Sequence, residues 1–100
     1  MEMTSTSDGE WVVYLLRCAD DSLYTGITND VSRRFDQHNA GTASRYTRSR
    51  RPTGLVYQET HANRSLALKR EAVIKTLSRQ EKESLILSAG QASDCGVGAV

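Results

Sequence analysis

The chain has 100 residues, a formal net charge of +1 and 38% hydrophobic residues, a composition typical of one small globular domain. No apolar run approaches the ~20 residues of a membrane-spanning helix, and the acidic N-terminus lacks the basic and apolar segments of a signal peptide. Two cysteines are too few for a disulfide framework or a zinc site. We therefore expect a cytoplasmic protein with reduced thiols, in which Cys18 fills apolar space.

Both ends of the chain lack the pattern of regular structure. Residues 1–10 are polar, and residues 88–100 are rich in glycine, alanine and serine. Such segments bury too little apolar surface to fold by themselves, so both are predicted to be disordered tails. The folded domain is predicted at 11–87.

The first elements along the chain are two strands and a helix. Residues 11–16 form a continuous apolar run, which predicts a strand buried on both faces, and residues 23–27 predict its hairpin partner. Asn29 or Asp30 can cap the helix that follows, which is expected to end near Asn39.

The second half begins with a basic segment at 42–52 that shows no period and is predicted to be a loop. Residues 54–60 predict a third strand. Asn63 can cap a helix at 64–77, and a last helix is predicted at 79–87. The order β-β-α-β-α-α predicts an α/β fold of the α+β type, a small, mainly antiparallel three-stranded sheet covered by about three helices.

The charge is distributed unevenly along the chain. Residues 1–30 hold six acidic residues and one basic residue, whereas residues 31–60 hold six arginines and two acidic residues. This basic middle third is interpreted either as a surface that binds phosphates or as a solvated loop, and charge alone does not separate the two.

One face of the first predicted helix mixes apolar and charged residues. Val31, Arg34, Phe35 and His38 recur at the i, i+3, i+4, i+7 spacing of a single face, and Arg33 points away from it. Because Val31 and Phe35 are expected to face the core, Arg34 and His38 are predicted to face inward or to line a cleft. An inward guanidinium needs either a buried carboxylate in a structural pair or an anionic ligand.

The predicted helix at 64–77 carries an acidic residue with two interpretations. The apolar face of this helix is expected to pack on the sheet through Leu66, Val73, Ile74 and Leu77. Glu71 lies at the margin of that face, where it either forms an ordinary surface ion pair with Lys75 or points toward a site.

These residues occur in a recognisable order. Tyr14, then Tyr24-Thr25-Gly26, then Arg34, His38 and Glu71 form a pattern that resembles the GIY-YIG nuclease domain, and most of all its small stand-alone members in the excision-repair-like branch. The resemblance covers residues 11 to about 87.

The resemblance implies a role for each matched residue. Tyr14 and Tyr24 would be the active-site tyrosines, one of them the general base that activates water. Arg34 would stabilise the transition state, and His38 would assist proton transfer. Glu71 would be the sole protein ligand of a divalent metal, Mg²⁺ or Mn²⁺. The chain departs from the pattern because the first tripeptide reads Val-Val-Tyr and no asparagine follows Glu71.

The residue types also suit phosphodiester hydrolysis on chemical grounds. A free tyrosine has a pKa near ~10, so a tyrosine base needs nearby positive charge to lower its pKa. Arg34, Arg17, Lys75 and a bound metal are the available sources. A single carboxylate ligand suits Mg²⁺, which keeps several waters and binds substrate phosphate oxygens.

The mechanism places a condition on the hairpin. Tyr14 and Tyr24 share one face of the sheet only if the hairpin pairs residues of equal parity, for example residue 14 opposite residue 26, which implies an odd-numbered loop such as the three residues 19–21. A two-residue loop would place the two tyrosines on opposite faces.

The sequence leaves three functions open. The first is a metal-dependent endonuclease that is structure-dependent or weakly specific, and that acts as a monomer on DNA rather than RNA. The second is a nucleic-acid-binding module of the same fold with little or no catalysis. The third is a protein-interaction domain, which no positive feature supports. The residues predicted to grip nucleic acid are Arg45, Tyr46, Arg48, Arg50, Arg51 and Lys75.

Overall fold

The structure is a computed structural model that describes residues 10–98. Its elements in chain order are β1 (Trp11–Arg17), β2 (Leu23–Thr28), α1 (Val31–Ala40), α2 (Arg45–Arg48), β3 (Gly54–His61), α3 (Arg64–Thr76) and α4 (Arg79–Gly98). The strands form one antiparallel sheet in the order β2-β1-β3. The predicted α+β fold and the order of its elements are confirmed. No described helix is both long and apolar enough to cross a membrane.

The continuous apolar run of β1 reflects its position in the middle of the sheet. Val13 and Leu15 lie on one face and form the core with Ala67 and Ile74 of α3. Tyr14 lies on the opposite face and is also buried, with 2% of its surface exposed. The central strand is therefore buried on both faces, as predicted, and each face serves a different set of helices.

The hairpin between β1 and β2 has the predicted odd-numbered loop. Tyr14 lies opposite Gly26, and the backbone N–H of Cys18 donates to the carbonyl of Ser22 at 2.9 Å, which leaves a three-residue loop at 19–21. The last loop residue, Asp21, has a left-handed backbone with φ 71°, as such loops require. This register places both hairpin tyrosines on one face.

The helix starts follow the capping residues. The Asp30 side chain accepts a hydrogen bond from the backbone N–H of Arg33, so Asp30 rather than Asn29 caps α1. Asn63 caps α3 in the same way, as predicted. Ser78 and Glu81 each accept the other's backbone N–H, and this capping box begins α4.

Two predictions about the helices are wrong. The segment at 42–52 is not all loop, because Ser44 caps the single turn of α2, which is too short to show a period. The last helix does not end near Leu87 but continues to Gly98, through small residues that carry no apolar period. The domain boundary at 11–87 stays a prediction.

Part of each predicted tail lies outside the described residues, namely 1–9 and 99–100. Cys18 is a buried free thiol, and burial raises its pKa. The second predicted thiol, Cys95, lies beyond the side chains that the structure describes.

The predicted packing face of α3 is wrong in part. Ile74 and Leu77 pack in or against the core as predicted, but Leu66 and Val73 are 43% and 49% exposed, and Ala67 is fully buried in their place. The face of the helix that packs on the sheet thus lies about one residue position around the helix from its most apolar stripe. Because residue 71 lies between 67 and 74 on a helical face, this rotation carries Glu71 from the margin of the packing face into it.

An ion-pair network joins the hairpin loop to α4. Both guanidinium NH₂ groups of Arg17 donate to the Glu83 carboxylate at 2.7 and 2.8 Å, and Arg79 donates to it at 2.9 Å. Arg79 also pairs with Asp21 at 3.1 Å. Hydrogen bonds from Arg17, and then from Arg79, lower the pKa of Glu83 to about 2. This network thereby holds the Arg17 guanidinium on the face of the sheet opposite Tyr14.

The low pKa of Glu83 predicts how stability responds to acid. A carboxyl whose folded-state pKa lies below its ordinary value of 4.5 stabilises the fold above that value, and the contribution is lost as the pH falls toward 2. We expect Glu83→Gln to flatten the decline of the urea midpoint across this window. Asp36→Asn removes an exposed carboxylate as a control and should leave the slope unchanged. Equal slopes in all three proteins would contradict the assignment.

Candidate active site

Four rings cluster on the face of the sheet that α1 and α2 cover. The ring centroids of Tyr14 and Tyr24 are 6.4 Å apart, and the His38 ring lies 5.0 Å from that of Tyr24. Tyr46 of α2 adds a fourth ring, 5.9 Å from Tyr24, and is 38% exposed. The three tyrosines and the histidine singled out in the sequence therefore lie together.

A chain of hydrogen bonds runs inward from Tyr14. The Tyr14 hydroxyl lies 2.8 Å from His38 Nε2, and His38 Nδ1 lies 2.7 Å from the Thr47 hydroxyl. Thr47 Oγ1 donates to the Ser44 carbonyl at 3.4 Å. All three groups are satisfied if Nδ1 carries the ring proton and Nε2 accepts from Tyr14, which we assign from the network.

The protonation of His38 supports this assignment. His38 is 1% exposed, and this burial, reinforced by the positive charge of Arg34, lowers its pKa below the usual 6.5. The imidazole is therefore neutral at pH 7 and keeps one nitrogen free to accept a proton.

Tyr14 does not have the lowered pKa that the sequence analysis predicts for a tyrosine base. Burial, and then the proximity of Tyr24, raise its pKa to about 12, although Arg34 acts in the lowering direction. Positive charge does not dominate at Tyr14, because removing the phenol from water costs its anion more than one guanidinium restores. Tyr14 is a neutral phenol at pH 7.

Arg34 lies half-buried beside this phenol. Its guanidinium donates to the side-chain oxygen of Gln37 at 3.0 Å, and no carboxylate lies within 4.0 Å of it in the described part of the chain. The structural pairing with a buried carboxylate is therefore not found there. Val31 and Phe35 of the same helix are half-buried, and Arg33 is exposed as predicted.

Glu71 has features of both predicted arrangements, because it pairs with Lys75 and is also shielded from solvent. One carboxylate oxygen, Oε2, pairs with Lys75 Nζ at 3.2 Å, but the Glu71 side chain is only 17% exposed. Its negative charge also acts on Tyr14 and contributes to the raised pKa of that phenol. The Lys75 pair is therefore present as predicted, but its carboxylate is largely shielded from solvent.

The donor set limits the kind of metal that the site suits. No group of three or more histidine, cysteine, aspartate or glutamate residues lies together among residues 10–89, whose side chains the structure describes, so those residues form no closed metal cage. Glu71 contributes one carboxylate, whose Oε1 is not engaged by Lys75. This set fits Mg²⁺ or Mn²⁺, whose remaining ligands are water and substrate oxygens.

An anchor on β3 ties α3 to the sheet next to Glu71. The Glu59 carboxylate accepts hydrogen bonds from Arg70 Nε at 2.8 Å and from the Tyr57 hydroxyl at 2.5 Å, and its Oε2 lies 2.7 Å from His61 Nε2. Burial alone would raise the pKa of Glu59, but these bonds outweigh it and leave the pKa lowered. Because Arg70 precedes Glu71, this anchor adds to the core contacts of Ala67 and Ile74 that hold this part of α3 in place.

The predicted nucleic-acid-binding residues divide into two groups. Arg45 and Arg48 are exposed, and neither forms an ion pair with a described carboxylate. Arg50, in contrast, donates to Asp20 at 3.0 Å and lies 3.9 Å above the Tyr46 ring. Arg51 donates to the Arg48 carbonyl at 2.9 Å. Lys75 is paired with Glu71, so the most accessible cations of the set are on α2.

Two residues of the site were missed in the sequence. Thr47 is fully buried and holds His38, but it belongs to a separate short helix, so no local pattern connects the two. Gln37 holds Arg34 three residues earlier in the same helix. That i, i+3 spacing is a signal that could have identified it.

Gly26 provides the space that Tyr14 occupies. A Cβ built on Gly26 would lie 2.6 Å from the Tyr14 hydroxyl oxygen and 2.7 Å from Cζ. The buried ring cannot move aside without breaking its bond to His38. We expect Gly26→Ala to destabilise the fold by about 1–3 kcal/mol in urea unfolding.

A second strand glycine offers a matched control for this prediction. A Cβ on Gly54 of β3 would meet nothing within 4 Å. Gly54→Ala should therefore leave stability unchanged or slightly increased. An equal loss in both variants would show that the cost is backbone strain and not the contact with Tyr14.

The chain is similar to known proteins over most of its length. The family model described as the GIY-YIG catalytic domain matches residues 10–84. A UPF0213 protein of Desulfotalea psychrophila is 46% identical over 101 residues, which cover 100% of this chain and 88% of that protein. A UPF0213 protein of Staphylococcus aureus is 53% identical over 74 residues, 74% of this chain and 90% of that protein.

Two solved structures share the fold. The solution structure of a UPF0213 protein of Bacillus halodurans is 38% identical with a TM-score of 0.55, and the match covers 88% of this chain and 94% of that one. The solution structure of a protein of E. faecalis is 36% identical with a TM-score of 0.56, covering 81% of this chain and 86% of that one. Together with the match to the family model, these similarities show that this chain belongs to the GIY-YIG catalytic domain family.

Proposed function

We propose that this protein is a divalent-metal-dependent endonuclease that hydrolyses phosphodiester bonds in DNA. The observation that carries the proposal is the convergence on Tyr14. This buried phenol is hydrogen-bonded to a neutral histidine, and the charges of Arg34 and Glu71 both affect its pKa. A proton acceptor, a cation and a carboxylate in one place are the groups that phosphodiester hydrolysis requires.

The proton path uses Tyr14 and His38 together. A phenol with a pKa of about 12 is a poor source of a preformed anion at pH 7. In our proposal the attacking water transfers a proton to the Tyr14 oxygen while the Tyr14 proton moves to His38 Nε2, 2.8 Å away. His38 then leaves the step as an imidazolium, and no tyrosinate has to exist beforehand.

We assign Arg34 the role of binding the phosphoryl group of the substrate. Its guanidinium has no carboxylate to neutralise it within the described residues, and Gln37 holds it in place. A planar guanidinium binds two phosphate oxygens side by side, and the charge on those oxygens grows toward the transition state. Tyr24, which is half-buried next to both Tyr14 and His38, would line the same site and orient the water.

Glu71 would hold the metal. When bound, a divalent cation supplies positive charge beside the phosphoryl and leaving oxygens. The Glu71 carboxylate is suited to this role because it is shielded from solvent and positioned by the Arg70–Glu59 anchor. The leaving oxygen takes its proton from solvent.

The exposed arginines of α2 support weakly specific recognition. Arg45 and Arg48 lie on the helix that also carries Tyr46 and Thr47, so they extend the basic surface directly from the site. Phosphate contacts position a strand but carry no sequence information. We therefore expect cleavage that depends on DNA structure more than on sequence.

The test is a nuclease assay with branched and single-stranded DNA in Mg²⁺, Mn²⁺ or EDTA. Cleavage that requires the metal supports the proposal. The same substrates should be titrated for binding at several salt concentrations, because phosphate contacts make affinity fall steeply with salt.

A second candidate is a nucleic-acid-binding module with little catalysis. It is favoured by the ion pair between Lys75 and Glu71, which occupies one carboxylate oxygen. Salt-sensitive binding without cleavage in any metal would establish this function instead.

A further inference from the structure

A cleft of about 260 Å³ lies between the end of the sheet and the first turns of α1. Trp11 and Ile27 line its sheet side, and Arg33, Arg34 and Gln37 line its helix side. The cleft shares Arg34 with the candidate active site, but none of the four clustered rings lines it. It is therefore adjacent to the proposed site and distinct from the ring cluster.

The two sides of the cleft differ in chemistry. Trp11 is half-buried, and the guanidinium of Arg64 lies 5.5 Å from its ring centroid. Ile27 continues this apolar side. Aromatic side chains at such clefts are platforms on which nucleobases stack, whatever the base.

The helix side carries more positive than negative charge. Arg33 and Arg34 form no ion pair with a carboxylate among residues 10–89, whose side chains the structure describes. Asp30 also lines the cleft, where its carboxylate accepts the backbone N–H of Arg33 as the helix cap. The two guanidinium groups therefore leave the cleft with a net positive charge.

Gln37 has hydrogen-bonding capacity left over. Its side-chain oxygen accepts from Arg34 at 3.0 Å, and its amide NH₂ group has no partner among residues 10–89, so that it can donate to a ligand. An aromatic platform, free amide donors and two cations match a nucleotide, which presents a planar base and an anion. Inorganic phosphate would leave Trp11 and Ile27 unused.

We propose that this cleft binds one nucleotide of the substrate strand, with its base against Trp11 and its phosphate at Arg33, next to the phosphate at Arg34. The inference rests on the proposed function, because it extends the path of the strand away from the site of cleavage. It assigns Arg33 to substrate binding and not to the chemical step.

The test uses the fact that Trp11 is the chain's one tryptophan. The full protein in EDTA is titrated with a short oligothymidylate while Trp11 fluorescence is excited selectively. Saturable quenching is expected, and Arg33→Gln should weaken it by about fivefold, the value of one exposed charge pair. Lys69→Gln removes an exposed cation of α3 that lies outside the cleft and should leave the quenching curve unchanged.

Inorganic phosphate and a nucleoside monophosphate are compared as smaller probes. Quenching by the nucleotide but not by phosphate supports the base platform. Oligonucleotide binding seen by anisotropy without a Trp11 response, or a curve unaffected by Arg33→Gln, would overturn the inference. Cleavage in Mg²⁺ without Trp11 quenching would contradict nucleotide binding in the cleft but not the proposed enzyme activity. Quenching without cleavage would contradict the enzyme activity but not nucleotide binding in the cleft.

Discussion

Replacing Glu71 with glutamine is expected to abolish metal-dependent cleavage, lowering the rate by about 10³-fold. The substitution keeps the shape of the side chain but removes a carboxylate whose charge acts on Tyr14. The structural cost should be small, because an i, i+4 pair such as Glu71–Lys75 stabilises a helix by only about 0.3–0.5 kcal/mol. Cleavage rates over a range of Mg²⁺ concentrations, with a urea unfolding curve, separate the two effects.

The matched control for this prediction is Lys75→Gln. It breaks the same ion pair from the other side and leaves the carboxylate in place. If Glu71 serves the metal, Lys75→Gln retains cleavage and Glu71→Gln does not. Equal cleavage by the two variants would remove Glu71 from the mechanism, and the metal assignment would fail with it.

Replacing Arg34 with glutamine is expected to lower kcat by about 10²–10³-fold, the usual cost of losing one transition-state donor. Arg34→Lys should recover only part of the loss, because an ammonium keeps the charge but not the paired donors. Single-turnover cleavage at saturating metal measures this effect on the chemical step. Arg48→Gln, an exposed arginine of α2, is the control and should weaken binding without changing the single-turnover rate.

The same variant makes a prediction about pH. Burial and then the charge of Arg34 lower the pKa of His38, so Arg34→Gln should raise that pKa toward its ordinary value. Since His38 must be neutral to accept the Tyr14 proton, the acid limb of the cleavage profile should move to higher pH. The His38 ring signals in NMR titrate independently of cleavage, and an unchanged pKa there would contradict the proximity of the two groups.

Local chemistry in the sequence was sufficient for most of the fold. Hydrophobic runs located the strands, and Asn63 located the start of α3, because these signals act within a few residues. The hairpin register followed from the requirement that Tyr14 and Tyr24 share a face, and the structure has that register. Turn and cap geometry are local properties, which a sequence carries directly.

The failures have a common physical origin in contacts between distant residues. α3 packs on the sheet through Ala67 and Ile74 rather than through its most apolar stripe, and Arg70 pairs with Glu59, 11 positions away. The raised pKa of Tyr14 arises from burial beneath two helices, and Thr47 reaches His38 from another element. None of these effects has a signature within a window of the sequence.

The sequence by itself determined the elements, their order and the set of residue types assembled for phosphate chemistry. Only the tertiary structure decided that Tyr14 is a neutral phenol hydrogen-bonded to His38. It also decided that Arg17 is engaged in an ion pair away from the site and that Glu71 faces the packing side of its helix. The reason is that periodicity and capping depend on near neighbours, whereas desolvation and charge depend on everything within several ångströms in space.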